Sequence, residues 1–363
     1  MQSNFLIVGA GAVGLTSAIA LLQAGYKVML VERGNVGQEA SWAGGGILSP
    51  LCSWDYKEPV TRLAHLSMAM FADAAESLHQ ATGIDPEYQR SGMLVLPPFD
   101  MAQAQQWCTQ HQFAAQLVNV ADSLPKEEQT GLLLPDVAQV RNPRLMSALR
   151  KRVEMLGGVI LEQHEVQIFI HQGERITALQ TAQGKLYADT YIVAAGAWSK
   201  QLLGEHAMHI DIRPIRGQIL LFKFATPPFQ HILLKKDLYL IPRCDGHVLV
   251  GSTLEDVGFD KSTTVEARES LLQRVYEILP NWKNLQPLKH WAGFRPGSPD
   301  NIPTIGRHPS ISNLYINSGH YRYGVTMSLA SAELLLNEIT GRAQPFSVEE
   351  YRWPFVGAAS AAN

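Results

Sequence analysis

The strongest hydrophobic pattern in this chain lies in its first thirty-two residues. Phe5-Leu6-Ile7-Val8 is a continuous apolar run of strand length. Gly9-Ala10-Gly11-Ala12-Val13-Gly14 follows, then an apolar helical run from Val13 to Leu22, then Val28-Met29-Leu30-Val31 ending on Glu32. The pattern predicts a strand, a tight turn, a buried helix and a second strand. No charge interrupts Phe5 to Ala24, which is long enough to resemble a membrane span. Gly9, Gly11 and Gly14 at its centre argue against a span, as does the change from strand to helix periodicity. Met1-Gln2-Ser3-Asn4 supplies no basic n-region, so no signal peptide is expected.

Buried strands are also predicted at Gly158–Leu161, after a helix Pro143–Leu156, and at Tyr191–Ala197. Another is predicted at Leu314–Gly319, before a helix from about Val325 to Thr340. Between them lie segments of period-2 alternation: Ser91–Leu96, Arg216–Phe224, Leu238–Arg243, His247–Ser252 and Lys289–Arg295. These suit an antiparallel or mixed sheet. The expected fold is therefore α/β in its first part and α+β overall, in two domains. A discontinuous nucleotide domain takes residues 1–85, 140–205 and 298–355. A β-rich domain is inserted in two pieces, 86–139 and 206–297, and 356–363 forms a small-residue tail.

At 363 residues the chain can bury two sizeable cores. A formal net charge of -3 with no basic tract disfavours nucleic acid and anionic membrane as partners. Cys52, Cys108 and Cys244 are scattered and odd in number, which argues against a disulfide framework and suits a reducing cytoplasm. The 12 histidines show no paired-ligand spacing, so no metal is expected.

The opening pattern carries chemistry. In G-x-G-x-x-G, Gly9 makes the tight turn, Gly11 lets backbone approach a pyrophosphate, and Gly14 lets the helix pack close to the sheet. The helix start at Ala12 and Val13 points free N–H groups and the positive end of the helix dipole at phosphate. Glu32 stands where a carboxylate accepts both hydroxyls of a ribose. NAD and FAD both fit this much. A second glycine-rich strip, Gly37 to Leu48 with Gly44-Gly45-Gly46, follows almost at once and lets backbone lie against a flat ring, which favours FAD.

Five stretches resemble the D-amino-acid oxidase family of flavoproteins, in its glycine oxidase branch. They are Val8–Gly14 with Glu32-Arg33, Ala40–Leu48, Val193–Trp198, Trp291–Gly297 with Pro303–Gly306, and Gly319-His-Tyr-Arg-Tyr-Gly324. The resemblance implies a Rossmann-type FAD domain, and a β-sheet that binds a small amino-acid or amine substrate. It implies oxidation of the amine with electrons passed to dioxygen, and a role in supplying a thiamine precursor. It places Gly9, Gly11, Ala12, Val13, Gly14, Glu32, Arg33, Ala40, Ser41, Gly45, Gly46, Ile47, Val166 and Gly196 at the cofactor. His320, Tyr321, Arg322, Tyr323, Gly324, Val325 and Thr326 form the loop and helix start beside the flavin ring. Arg295 and Tyr239 match groups that hold the substrate carboxylate, with Arg322 and Tyr323 nearby. Two positions depart from the family pattern. Tyr323 stands where Asn is expected, and Leu254 where some relatives have Met. Ser41-Trp42-Ala43 contains no His and no Cys lies near Gly319, so FAD is expected to be non-covalent.

The residues leave some roles open. Arg295 either clamps a carboxylate bidentately or pairs with a domain acid. Tyr239 either donates to that carboxylate or satisfies backbone. Arg322 either adds positive charge beside the flavin or pairs with a surface acid. His320 reads as a structural loop histidine, and Trp42, Trp54, Trp198 and Trp291 as packing groups. No residue is assigned acid–base catalysis. The rival functions are an NAD-dependent dehydrogenase, an accessory flavoprotein acting with a partner protein, a tRNA-modifying relative, and an oxidase of another secondary amine such as sarcosine. A homo-oligomer is compatible with the sequence.

Overall fold

The computed structural model describes residues 3–120 and 130–354. The small-residue tail lies outside the described residues. The first sheet has six strands, in the order Thr304–Arg307, Leu314–Ser318, Ala188–Val193, Ser3–Val8, Val28–Val31 and Val159–Leu161. All pairs are parallel except that of the edge strand Thr304–Arg307 with Leu314–Ser318. Both faces are covered, which is why its inner strands read as apolar runs; the strand Val159–Leu161, expected to be buried, stands at the sheet edge with Val159 exposed. Phe5 and Ile7 enter one core with the helices Ala12–Gln23, Glu58–Thr82, Asn142–Met155 and Ser328–Thr340. Leu6 and Val8 enter another, against Phe169, Ile176 and Leu179 of a three-stranded antiparallel sheet spanning Val166 to Leu186. The uncharged stretch after Phe5 is thus part strand and part helix. No helix among the described residues is long and apolar enough to cross a membrane.

The second sheet has eight strands, in the order Lys289–Gly297, Arg213–Lys223, His247–Gly251, Leu238–Pro242, Ile232–Lys235, Met93–Leu96, Thr130–Leu134 and Gln116–Asn119. Here the alternation decides the faces. Leu220, Phe222, Leu240, Val248 and Val250 pack against Leu271, Val275 and Ile278 of the helix Val265–Ile278. Tyr239 and Ile241 face the other way, in a cluster with Trp54 and Trp107.

Several predicted elements end differently from expectation, and two of these differences bear on the cavity. The strand expected to run to Ala197 stops at Val193, because Gly196 turns at φ 55° into a short 3-10 turn, Gly196–Trp198. The last helix starts at Ser328 rather than Val325. Its approach is occupied by turns in which Tyr323 N–H donates to His320 O and Met327 N–H to Tyr323 O.

Candidate active site

A cavity of about 680 Å³ runs between the two sheets. Of the cofactor positions read from the sequence, all line it except Gly14, which packs directly beneath the turn. At Gly9, φ is +106° and a Cβ would strike the Ala194 carbonyl; at Gly14 a Cβ would overlap the Gly9 carbonyl. These two glycines make the turn and seat the helix on the strand ends. A Cβ on Gly11 would meet only the Ser41 hydroxyl, at 3.0 Å. Ser41 Oγ accepts the Ala12 N–H at 2.9 Å, and no acid occupies the first helical turn. Among the described residues the Val13 N–H has no acceptor. Glu32 is fixed by two backbone donors, Ala10 N–H to Oε2 at 2.9 Å and Gly34 N–H to Oε1 at 3.0 Å. Arg33 stacks 3.6 Å over the Trp198 ring and pairs with Glu39 at 3.3 Å.

The triple-glycine strip is held from behind. Gly46 has φ +74° and no room for a Cβ beneath Val140 O. Arg243, 5% exposed, donates to Gly45 O at 2.7 Å, Val140 O at 2.9 Å and Gln139 Oε1 at 2.6 Å. No acid forms an ion pair with it among the described residues, and burial lowers its pKa to about 10. Asn142 Nδ2 donates to Ser41 O at 2.7 Å and Gly44 O at 3.1 Å, and Thr326 Oγ1 donates to Ile47 O at 2.9 Å. Sequence reasoning missed Arg243 and Asn142. Their partners are backbone carbonyls distant in sequence, and the only trace of Arg243 is a charge at the end of an apolar strand.

At the other end of the cavity, strand register brings Arg295 and Tyr239 together. Arg295 opposes Ile215 and Tyr239 opposes Gly251 across their respective strand pairs. The Arg295 guanidinium lies where a Cβ on Gly217 would be, and the Tyr239 ring lies 2.6 Å from a Cβ built on Gly251. Arg295 donates to Thr253 O at 3.2 Å and to Ser252 Oγ. It forms no ion pair with an acid among the described residues. Burial lowers its pKa, Tyr239 offsets part of that, and Arg322 adds to it by repulsion. Arg322 also lines the cavity without an acid partner, which removes the surface-pair alternative. Burial disfavours its charge, but the neighbouring Tyr56, Tyr323 and Tyr321 outweigh that and raise its pKa.

Tyr323 is 3% exposed and points into the protein. Its hydroxyl donates to Tyr56 Oη and accepts the Leu51 N–H at 3.3 Å, and the two tyrosine rings meet edge to face at 5.3 Å. Burial raises its pKa. His320 is fully enclosed with Nε2 2.8 Å from Ser331 Oγ, and burial lowers its pKa to about 3, so the ring is neutral near pH 7. The N–H groups of Gly324, Val325 and Thr326 line the cavity without acceptors among the described residues. Leu254 is 49% exposed and stands outside the cavity. Trp42 and Trp291 pack edge to face at 5.7 Å, with Trp291 Nε1 donating to Ala43 O at 3.1 Å.

A family model described as FAD dependent oxidoreductase, DAO, matches residues 4–337. The chain belongs to the DAO family of FAD-dependent oxidoreductases. Its similarity to a glycine oxidase of Pseudomonas aeruginosa is 42% identity over 94% of this chain and 96% of that protein. A glycine oxidase of Pseudomonas putida is 40% identical over 95% and 96%. Among solved structures, the glycine oxidase of Geobacillus kaustophilus superposes with a TM-score of 0.91 at 23% identity, over 97% of this chain and 98% of that one. The Bacillus cereus glycine oxidase gives 0.87 at 26% identity, over 94% and 96%. This DAO-family member therefore has the two-sheet flavoprotein fold, with mixed α/β sheets, that its sequence resembles.

Proposed function

We propose that this DAO-family enzyme oxidises glycine or another small amino acid or amine, using FAD held non-covalently in the cavity between its sheets. The observation that carries the substrate reading is Arg295. A buried guanidinium set over Gly217 and facing the cavity, with no acid partner among the described residues, suits a substrate carboxylate. Tyr239 stands beside it as a second donor.

The residues present fit FAD. The helix start at Ala12 and Val13 offers N–H groups and no competing acid, as a pyrophosphate requires. Glu32 already has its carboxylate fixed by Ala10 and Gly34, with lone pairs left for ribose hydroxyls. The Gly44–Ile47 strip, braced by Arg243, gives a flat backbone surface for a ring. The unsatisfied N–H groups of Gly324 to Thr326, with Arg322 nearby, favour negative charge at that point. When bound, FAD supplies the acceptor for the hydride on the substrate Cα and passes the electrons to dioxygen as hydrogen peroxide. The protein's own tasks are to clamp the carboxylate and to keep the amine neutral in a dry, aromatic pocket. Neutral His320, tied to Ser331, is not required as a base.

Among the described residues no cysteine lines the cavity and Ser41-Trp42-Ala43 offers no histidine, which supports non-covalent attachment. Three free cysteines suit a reducing compartment, and the reading includes a cytoplasmic setting. The test is peroxide release by purified yellow protein against glycine, sarcosine, both alanine enantiomers and proline. Turnover highest with glycine or sarcosine is expected. Absence of peroxide with all five would favour the accessory-flavoprotein reading. Yellow colour retained in an acid-precipitated pellet would overturn non-covalent binding.

A further inference from the structure

The sequence shows no metal-ligand spacing, yet the fold gathers one three-ligand set away from the cavity. We propose that His171, Glu205 and His206 form a site for one divalent transition-metal ion of the zinc type. His171 lies on the strand Val166–Gln172, and Glu205 and His206 on the turn Gly204–Ala207. One ligand atom from each side chain lies within 4.8 Å of the other two. The two imidazole rings meet edge to face with centroids 5.4 Å apart. Zinc–nitrogen bonds of about 2.0–2.1 Å put tetrahedral ligand atoms roughly 3.4 Å apart. His171 and Glu205 are exposed, and side-chain rotation closes the remaining gap.

Three features distinguish this set from a chance surface cluster. First, its composition is two imidazoles and a carboxylate, a set that suits zinc and its transition-metal neighbours and leaves a position for water. Secondly, none of the three side chains has a hydrogen bond or ion pair with another described residue, so their donor atoms are free for an ion. Thirdly, the turn that presents two of them is anchored. The His206 carbonyl accepts from His308 Nε2 at 3.1 Å. His308 Nδ1 accepts the N–H groups of Ser310 at 3.0 Å and Ile311 at 2.9 Å, which leaves Nε2 as the protonated nitrogen. His308 is itself buried. A fixed backbone beneath a ligand is the support that metal sites need.

The ion would clasp two elements that reach the cavity from this side. Val166 and Gln167 at the start of the strand line the cavity, as do Gln201 and Leu202 just before the ligand-bearing turn. Its effect is therefore expected on thermal stability rather than on flavin content or the chemical step. The test uses tag-free holoenzyme, stripped with chelator and titrated with Zn2+ by calorimetry, and with Co2+ by visible absorption. Wild type is expected to bind one ion per chain. His171→Ala and Glu205→Gln, both at exposed positions, are each expected to weaken binding by at least about tenfold, with flavin absorbance retained. Absence of saturable binding to wild type overturns the site, as does binding that survives either substitution unchanged. The readout needs no turnover, so it stands or falls separately from the oxidase reading.

Discussion

The two ends of the cavity use glycine differently. At the dinucleotide end, Gly14 makes room for the Gly9 carbonyl of its own turn, and Gly9 for the backbone of Ala194 and Ala195 at the end of the adjacent strand. At the carboxylate end, Gly217 and Gly251 make room for side chains from other strands, Arg295 and Tyr239. The first arrangement is a short-range motif that needs, beyond its own strand, turn and helix, only the neighbouring parallel strand Ala188–Val193. The second exists only when an eight-stranded sheet has closed in one register, because a one-residue slip would turn Arg295 and Tyr239 to the opposite face. The phosphate-facing turn is thus written mostly locally, whereas the brace behind Gly44–Ile47 and the proposed carboxylate site are written in tertiary structure.

The largest effect should come from breaking the local end. Gly11→Val places a branched side chain where only the Ser41 hydroxyl stands nearby, so the fold tolerates it but a pyrophosphate does not. The expected product is folded and colourless, checked by circular dichroism and flavin absorbance. A folded yellow Gly11→Val protein would move the pyrophosphate away from this turn.

Arg295→Ala attacks the other end. Loss of one partner of a desolvated charge pair costs about 2–5 kcal/mol, or roughly 30- to 4000-fold in kcat/KM. FAD absorbance should be unchanged, because Arg295 belongs to the second sheet. Normal kinetics in yellow protein would remove the carboxylate from Arg295.

Gly217→Ala tests the comparison itself, since it alters the seat of Arg295 and leaves the guanidinium chemically intact. Its Cβ would displace the Arg295 guanidinium. A misplacement of about 1 Å can cost roughly 100-fold in rate, so a loss of that order is expected, with yellow colour retained. Combined with Arg295→Ala, it should add almost nothing, because both act through the same group. Additive losses would mean that Gly217 serves something other than Arg295.

The same contrast explains what the sequence disclosed. Strand, turn, helix and acid between Phe5 and Glu32 were legible because period, spacing and residue type are all local. The alternating strands around Leu238, His247 and Lys289 were legible for the same reason, and Arg295 stood out through its resemblance to a family motif. The helix Glu58–Thr82 escaped notice although it is the longest among the described residues. Its buried positions Val60, Leu63, Ala64, Ser67, Phe71, Ala75 and Leu78 recur at helical spacing, but alanine and serine fill three of them, so spacing marks the stripe more plainly than hydrophobicity does. Arg243 and Gly217 were illegible because one binds distant carbonyls and the other matters only through a cross-strand neighbour. The proposed metal-ligand set joins a strand to a turn that follows three further strands, so no linear spacing marks it.

Tyr323 lies between the two kinds of position, in a family motif but facing a tertiary neighbour, and it gives the smallest expected effect. Its ring is packed in the core and its hydroxyl is engaged by Tyr56 and Leu51, so it is no surface lid. It also lines the cavity close to Arg322. The ring therefore fixes the position of the cavity wall, and Tyr56 fixes the ring. Tyr323→Asn removes most of that volume and should admit an added methyl group. The ratio of kcat/KM for D-alanine or sarcosine to that for glycine should rise. An apolar pocket discriminates one methylene by about 1–3 kcal/mol, roughly 10- to 200-fold. A change near the lower bound is expected, since Tyr56 can relax into the space. Tyr323→Phe keeps the ring and loses only the hydroxyl, so its substrate ratio should match wild type while its melting temperature falls. An equal shift of the substrate ratio in Tyr323→Phe and Tyr323→Asn would show that the hydroxyl, and not the volume of the ring, borders the substrate, and no shift in either would place Tyr323 outside the pocket.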